Sequence, residues 1–135
     1  MYEMYRENIL DHAKNPRFPG VLDPADYDFE GDNPLCGDHL HMTMRVDENN
    51  VITEIAWEGD GCAISQATAS MLGEMVVGEK LESVRDLSRD DIFEMLGIPL
   101  TPNRMKCALL SLRVFIAGTF GVKEWHRHED DEEED

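Results

Sequence analysis

His39-Leu40-His41-Met42-Thr43-Met44-Arg45-Val46-Asp47 alternates without a break. Leu40, Met42, Met44 and Val46 fall on one side, and His39, His41, Thr43 and Arg45 on the other. This is the period-two pattern of a strand with one buried face. Asp47-Glu48-Asn49-Asn50 supplies turn chemistry. The chain then returns through Val51 to Glu58, with Val51, Ile55 and Trp57 on one side and Glu54 and Glu58 on the other. Upstream, Asp26-Tyr27-Asp28-Phe29-Glu30 alternates in the same way. Together these stretches predict an antiparallel meander whose apolar face needs cover.

Helical patterns on either side supply that cover. Met1 to Lys14 spaces Tyr2, Tyr5, Ile9 and Ala13 for one helix face and must end near Asn15-Pro16, because proline disfavours helical geometry in the residue before it. Ile64, Ala67, Met71, Leu72, Met75 and Val76 repeat at helical spacing and stop at Gly78. Ser88 is placed to cap a short helix from Arg89 to Leu96 that ends at Gly97. Thr101-Pro102 gives a capping hydroxyl followed by proline at the first helical position. Met105, Leu109, Leu112 and Ile116 then form an apolar stripe ending near Gly118. Strands grouped together with helices mostly after them indicate an α+β fold: a three-stranded antiparallel sheet covered by helices on one face.

Size and composition bound the function. A chain of 135 residues with 41% hydrophobic content fits one domain with a core of its own. No apolar run approaches the ~20 residues of a membrane span, and the first 20 residues do not resemble a signal peptide. An odd number of sparse cysteines, three in all, suits a reducing compartment better than a disulfide framework. The expectation is a cytoplasmic protein. A formal net charge of -17 disfavours nucleic acid and anionic membranes as partners, since both need a basic face. Seven of those charges are the run Glu129 to Asp135, and the remainder is acidic without them. Residues 122-135 therefore read as a disordered acidic tail behind a domain of residues 1-121.

Chemistry concentrates at the cysteines. Cys36, Cys62 and Cys107 each lie where an element begins or ends, in Asn33-Pro34-Leu35-Cys36-Gly37-Asp38, Gly59-Asp60-Gly61-Cys62-Ala63-Ile64-Ser65 and Arg104-Met105-Lys106-Cys107. Glycines at 37, 59 and 61 permit sharp turns and close backbone approach. A helix N-terminus and neighbouring cations, here Arg104 and Lys106, both stabilise thiolate over thiol. Asp38 is a hard oxygen donor able to complete a tetrahedral site. Three small buried hydrophobes would be the alternative reading. The spacings match no generic zinc-finger rule, so the residues alone reach a thiol-rich metal or sulfur site and no further. His39 and His41 read as polar-face strand residues, His126 and His128 as a frayed helix end, and Asp60 as a turn residue within reach of the site.

At these residues the chain resembles the U-type iron–sulfur assembly proteins (IscU, SufU and the N-terminal part of NifU). The matching stretches are Ile9 to Arg17, Asn33 to Asp38, Gly59 to Ser65 with Ala69-Ser70, and Arg104 to Leu109, in order and containing all three cysteines. The resemblance implies a SufE/NifU-like fold in which Cys36, Asp38, Cys62 and Cys107 are ligands of zinc or, alternatively, of iron or a transient [2Fe-2S] cluster, with Arg104 and Lys106 beside them. It implies work in iron–sulfur cluster assembly: either accepting persulfide sulfur from a cysteine desulfurase, with Cys36 the acceptor, or scaffolding a cluster for apo iron–sulfur acceptor proteins. Lys106 before the third cysteine, Arg104 and Gly59-Asp60-Gly61-Cys62 look SufU-like and favour a SufS-type desulfurase. The gap between the second and third cysteines is of the shorter, IscU-like length.

Overall fold

A computed structural model describes residues 3–33, 37–121 and 123–125. In chain order the elements are α1 (Glu3–Lys14), β1 (Tyr27–Asn33), β2 (Asp38–Val46), β3 (Ile52–Asp60), α2 (Ala63–Val76), α3 (Leu81–Val84), α4 (Arg89–Leu96) and α5 (Pro102–Phe120). The sheet is an antiparallel meander in the order β1-β2-β3, as the alternation predicts. Leu40, Met42 and Met44 are buried on one face, opposite Ile55 and Trp57 of β3. The expected Val51 is only half-buried, and Ile52 takes the core position. The cause is an irregularity between Arg45 and Val46 that shifts the register.

Helices α2 and α5 lie against this face. Ten of the fourteen residues of α2 are buried, more than one apolar stripe can supply, because the helix is wedged between the sheet, α1 and α5. That wedge admits Ala67, Thr68, Ala69, Ser70 and Gly73 where larger side chains would hold the layers apart. α4 is bounded as its sequence predicts: Ser88 and Asp91 form a reciprocal capping box, and Gly97 closes the helix at φ +72°. Thr101 accepts the Arg104 N–H at the start of α5, with Pro102 in the first turn. The short helix α3 was not legible in advance.

The face of α1 differs from expectation. Tyr5 is 45% exposed, and Ile9 and His12 are the buried residues. His12 is fixed at both ring nitrogens: Nε2 lies 3.1 Å from the Glu74 carboxylate and Nδ1 2.7 Å from Ser70 Oγ. The carboxylate can only accept, so the network assigns the neutral Nε2–H tautomer, with the Ser70 hydroxyl donating to Nδ1. Ser70 Oγ in turn accepts the Arg17 N–H at 2.8 Å. Burial, with Arg17 adding to it, holds the His12 pKa below the ordinary 6.5. A histidine depressed in the folded state contributes stability that is present above 6.5 and is lost as pH falls through its folded pKa. His41 acts in the opposite sense, because its bond to Asp28 raises it above 6.5, and its contribution fades as pH rises through that value. With His41→Gln in place to remove the opposing contribution, urea midpoints measured from about pH 7.5 down to about pH 5 should show an acid-side loss, at most ~1.4 kcal/mol per pH unit for one proton. His12→Gln should flatten it, and an unchanged slope in that variant would assign the loss elsewhere.

At the other end of the chain, Lys123 to Trp125 form a helical turn on which Glu124 and Trp125 are buried, with Glu124 3.3 Å from Arg85. Residues 126–135, including His126 and His128, lie outside the described residues.

Candidate metal centre

Three elements converge at one end of the sheet. Asp38 opens β2 on the same side as Leu40 and Met42, so the alternation that buries those side chains also turns its carboxyl inward, where it is 2% exposed. Cys62 is the N-cap of α2, and no side chain caps that helix. The partial positive charge of its first turn is thus not offset by a side-chain cap beside Cys62. Cys107 lies in the second turn of α5 and is 3% exposed. One carboxyl oxygen of Asp38 and the two sulfurs lie within 4.8 Å of one another.

The carboxyl group is held on one side only. Asp38 Oδ1 accepts the Cys62 N–H at 3.0 Å, which ties the start of β2 to the start of α2. Asp38 Oδ2 is buried and has no hydrogen-bond partner among the described residues. A buried carboxyl oxygen left without a donor is costly, unless a cation supplies the missing contact. Two sulfurs and a carboxylate oxygen form a donor set that suits zinc or iron, so the residues present fit a metal.

Gly61 lets the three approach. A Cβ there would overlap both Ser65 Oγ and Asp38 Oδ1, so any other residue would push the carboxyl away from Cys62. Ser65 is a contributor that sequence reasoning missed. Its hydroxyl donates to the Cys62 carbonyl at 3.0 Å and lies 3.9 Å from Cys62 Sγ. Its place three residues after an N-cap was the available signal, but the capping residue there is a thiol rather than a hydroxyl.

Of the expected site residues, the structure thus unites Asp38, Cys62 and Cys107. Cys36 lies outside the described residues. The Gly37 N–H donates to the Asn33 carbonyl at 2.9 Å, and Asn33 pairs with Asp38 across the turn. Arg104 and Lys106 are exposed on α5, and neither forms an ion pair among the described residues. Asp60 is exposed at the end of β3 and does not join the cluster. His39 and His41 are on the outward side of the sheet, as expected, bonded to carboxylates rather than to the cluster.

Known proteins resemble this chain along most of its length. The model of the NifU-like N terminal domain matches residues 4–129. The zinc-dependent sulfurtransferase SufU of Bacillus subtilis is 33% identical over 132 residues, covering 85% of this chain and 88% of its own. The iron-sulfur cluster assembly scaffold protein IscU of Aquifex aeolicus is 41% identical over 109 residues, covering 80% and 69%. Among solved structures, an iron-sulfur cluster assembly scaffold protein for the SUF system from Fervidobacterium islandicum AW-1 superposes with a TM-score of 0.72 at 26% identity, covering 84% of this chain and 94% of that one. Shared sequence along the chain, a shared fold and the inward-turned Asp38, Cys62 and Cys107 agree: the chain belongs to the NifU-like N-terminal domain family of iron–sulfur cluster assembly proteins.

Proposed function

We propose that this protein accepts persulfide sulfur from a cysteine desulfurase at a zinc site made by Cys36, Asp38, Cys62 and Cys107, and works in the cytoplasm. The observation that carries this reading is the cluster of Asp38, Cys62 and Cys107, in which one carboxyl oxygen of Asp38 is buried and unpartnered among the described residues. Covalent geometry supports Cys36 as the fourth donor, because two peptide units limit its Cα to about 7 Å from that of Asp38. Zinc, when bound, holds cysteine ligands as thiolates and fixes their positions.

The chain's own residues then divide the work. Cys62 and Cys107 are anchored by α2 and α5, whereas Cys36 falls in the sequence between β1 and β2, next to Gly37 at φ +72°, and is the acceptor. Its thiolate attacks the outer sulfur of the desulfurase persulfide. A new S–S bond forms on Cys36, the old one breaks, and its electron pair leaves on the desulfurase cysteine as thiolate. Asp38 is the hard, more labile corner of the site and lets Cys36 exchange its contacts. Arg104 and Lys106 oppose the helix dipole in the first turns of α5, a cost that an anionic sulfur-loaded site offsets. A SufS-type desulfurase is the favoured donor, in keeping with the name of the Bacillus subtilis relative.

Identity of 41% to an IscU scaffold favours a second reading, in which the same residues build a [2Fe-2S] cluster as cargo and pass it to apo iron–sulfur proteins. Metal analysis of protein purified without oxygen, followed by incubation with desulfurase and cysteine, separates the two. The first reading expects about one zinc per chain, faster cysteine turnover and extra sulfur on Cys36 by mass spectrometry. It also expects Arg104→Ala to lower the stimulation. Sulfur on Cys107 while Cys36→Ser still loads would overturn the acceptor assignment, and a transferable cluster chromophore without zinc would establish the scaffold instead.

A further inference from the structure

The two faces of the sheet are treated differently. The inner face is under α2 and α5, and among the described residues no helix covers the outer one. Strand alternation turns Asp28, Glu30 and Asp32 of β1, His39 and His41 of β2, and Glu58 and Asp60 of β3 outward. The half farther from the metal centre is strapped by the segment before β1. Phe18 and Gly20 pair with Trp57 along the free edge of β3, the Leu22 N–H donates to Thr43 Oγ1, and Arg45 Nε–H donates to the Pro24 carbonyl. Thr43 and Ala56 are therefore buried although they point outward. The nearer half is open: the carboxylates of Asp28, Glu30, Asp32 and Glu58 are 60–68% exposed.

Register places Glu30, His41 and Glu58 in one row across the strands and Asp32, His39 and Asp60 in the next. Each imidazole bridges carboxylates. His39 Nδ1 is 2.5 Å from Asp32 and its Nε2 3.7 Å from Glu30, while His41 Nε2 is 2.7 Å from Asp28 and its Nδ1 3.4 Å from Glu58. Because the two nitrogens of each ring face different carboxylates, the patch does not converge on one point as a cation pocket must. It is a surface. Its five carboxylates outnumber its two imidazoles even when both rings are protonated, and like charges gathered on one sheet face weaken the fold. Among the described residues, Arg45 on this face is bound to Glu54 at 2.8 Å in the strapped half, and Arg113 of α5 reaches the edge of the patch by donating to the Asp32 carbonyl, so the carboxylates still outnumber the cations.

We infer that the open half of the outer sheet face docks the sulfur-donating protein, which meets it with lysine and arginine side chains. The inference rests on the sulfur-acceptor reading above. Charge complementarity selects a basic partner surface and disfavours a second copy of this chain, whose net charge is also -17. Continuity with the metal centre selects the donor. Asp32 lies four residues before Cys36 in the sequence, His39 follows Asp38, and Asp60 lies two residues before Cys62. A body seated on this patch brings its edge over the sulfur ligands.

Two charge reversals of equal size test it. One variant carries Glu30→Lys, Asp32→Lys and Glu58→Lys on the patch. The other carries Glu48→Lys, Glu79→Lys and Glu82→Lys around the β2–β3 turn, at the opposite end of the sheet. Binding of the same organism's cysteine desulfurase is measured at about 0.05 M and about 0.3 M NaCl, with metal content and circular dichroism as checks that both variants are folded and loaded. At low salt the patch variant should bind about tenfold more weakly or worse, mainly through a slower on-rate, and the turn variant should stay within about twofold of wild type. Wild-type affinity should fall more steeply with salt than that of the patch variant. Wild-type affinity in the patch variant, or equal weakening in both, would overturn the inference and leave the sulfur-acceptor reading standing. Undiminished desulfurase binding with impaired delivery to an apo-protein would assign the surface to the acceptor, also against it. No wild-type binding at all would remove the sulfur-acceptor reading itself, and this inference with it.

Discussion

Cys107→Ser should strip the protein of its metal, from about one equivalent to less than about a tenth, with affinity down more than ~100-fold. Changes to groups that merely orient metal ligands cost about 10–100-fold, and this substitution removes a ligand outright. The serine hydroxyl is not deprotonated at neutral pH, and it is a hard donor where the site offers soft ones. No other residue of α5 can take over. Cys107 is buried in the second turn of α5, so a replacement ligand from that helix would require the helix to turn on its axis against the sheet and α2. Serine is nearly isosteric with cysteine, and far-ultraviolet circular dichroism should be unchanged. A Cys107→Ser protein that retains one equivalent at wild-type affinity would show that Cys107 is a core residue and not a ligand.

Removing the metal from the wild-type protein should cost several kcal/mol, and the sign of one substitution should depend on whether metal is present. A ligand that binds only the folded state adds about 4 kcal/mol when its concentration is about a thousandfold above Kd, less whatever the unfolded cysteines bind. For a chain of this length that is roughly 10–20 °C in Tm, lost on chelation. Asp38→Asn isolates the carboxyl. The amide oxygen keeps the Cys62 N–H bond, while the buried and unpartnered Oδ2 gives way to a neutral NH2. Metal-free Asp38→Asn should therefore be more stable than metal-free wild type, by about 1 kcal/mol or more. With metal in excess the order should reverse, because the variant has lost its oxygen ligand. Thermal scans of both proteins with and without chelator read the crossing directly. If the variant is the less stable protein in both conditions and gains as much from metal as wild type does, Asp38 serves only to hold the start of α2.

The two predictions draw on different levels of structure. Cys107 could be nominated from its place near the start of a helix opened by Thr101-Pro102. That Asp38 has one satisfied and one orphaned oxygen is visible only once β2 and α2 are packed. The resemblance to U-type assembly proteins named the ligand set, whereas spacing by itself matched no metal-binding rule.

Local pattern determined the three strands, the buried face of β2, the reciprocal cap and terminal glycine of α4, the start of α5 and the identity of the thiols. Each of these depends on a period or on a capping contact within a few residues. Tertiary structure decided the rest. The register shift at Arg45 and Val46 put Ile52 in the core in place of Val51. A strap from the segment before β1 buried Thr43 and Ala56 on the side the alternation turns to solvent. Packing of α2 and α5 on one face of the sheet carried Cys62 and Cys107 to the inward end of β2, within 4.8 Å of Asp38. Alternation could say that Asp38 turns inward with Leu40 and Met42, but not what it would meet, because a period records which way a side chain points and holds no term for the distance between elements.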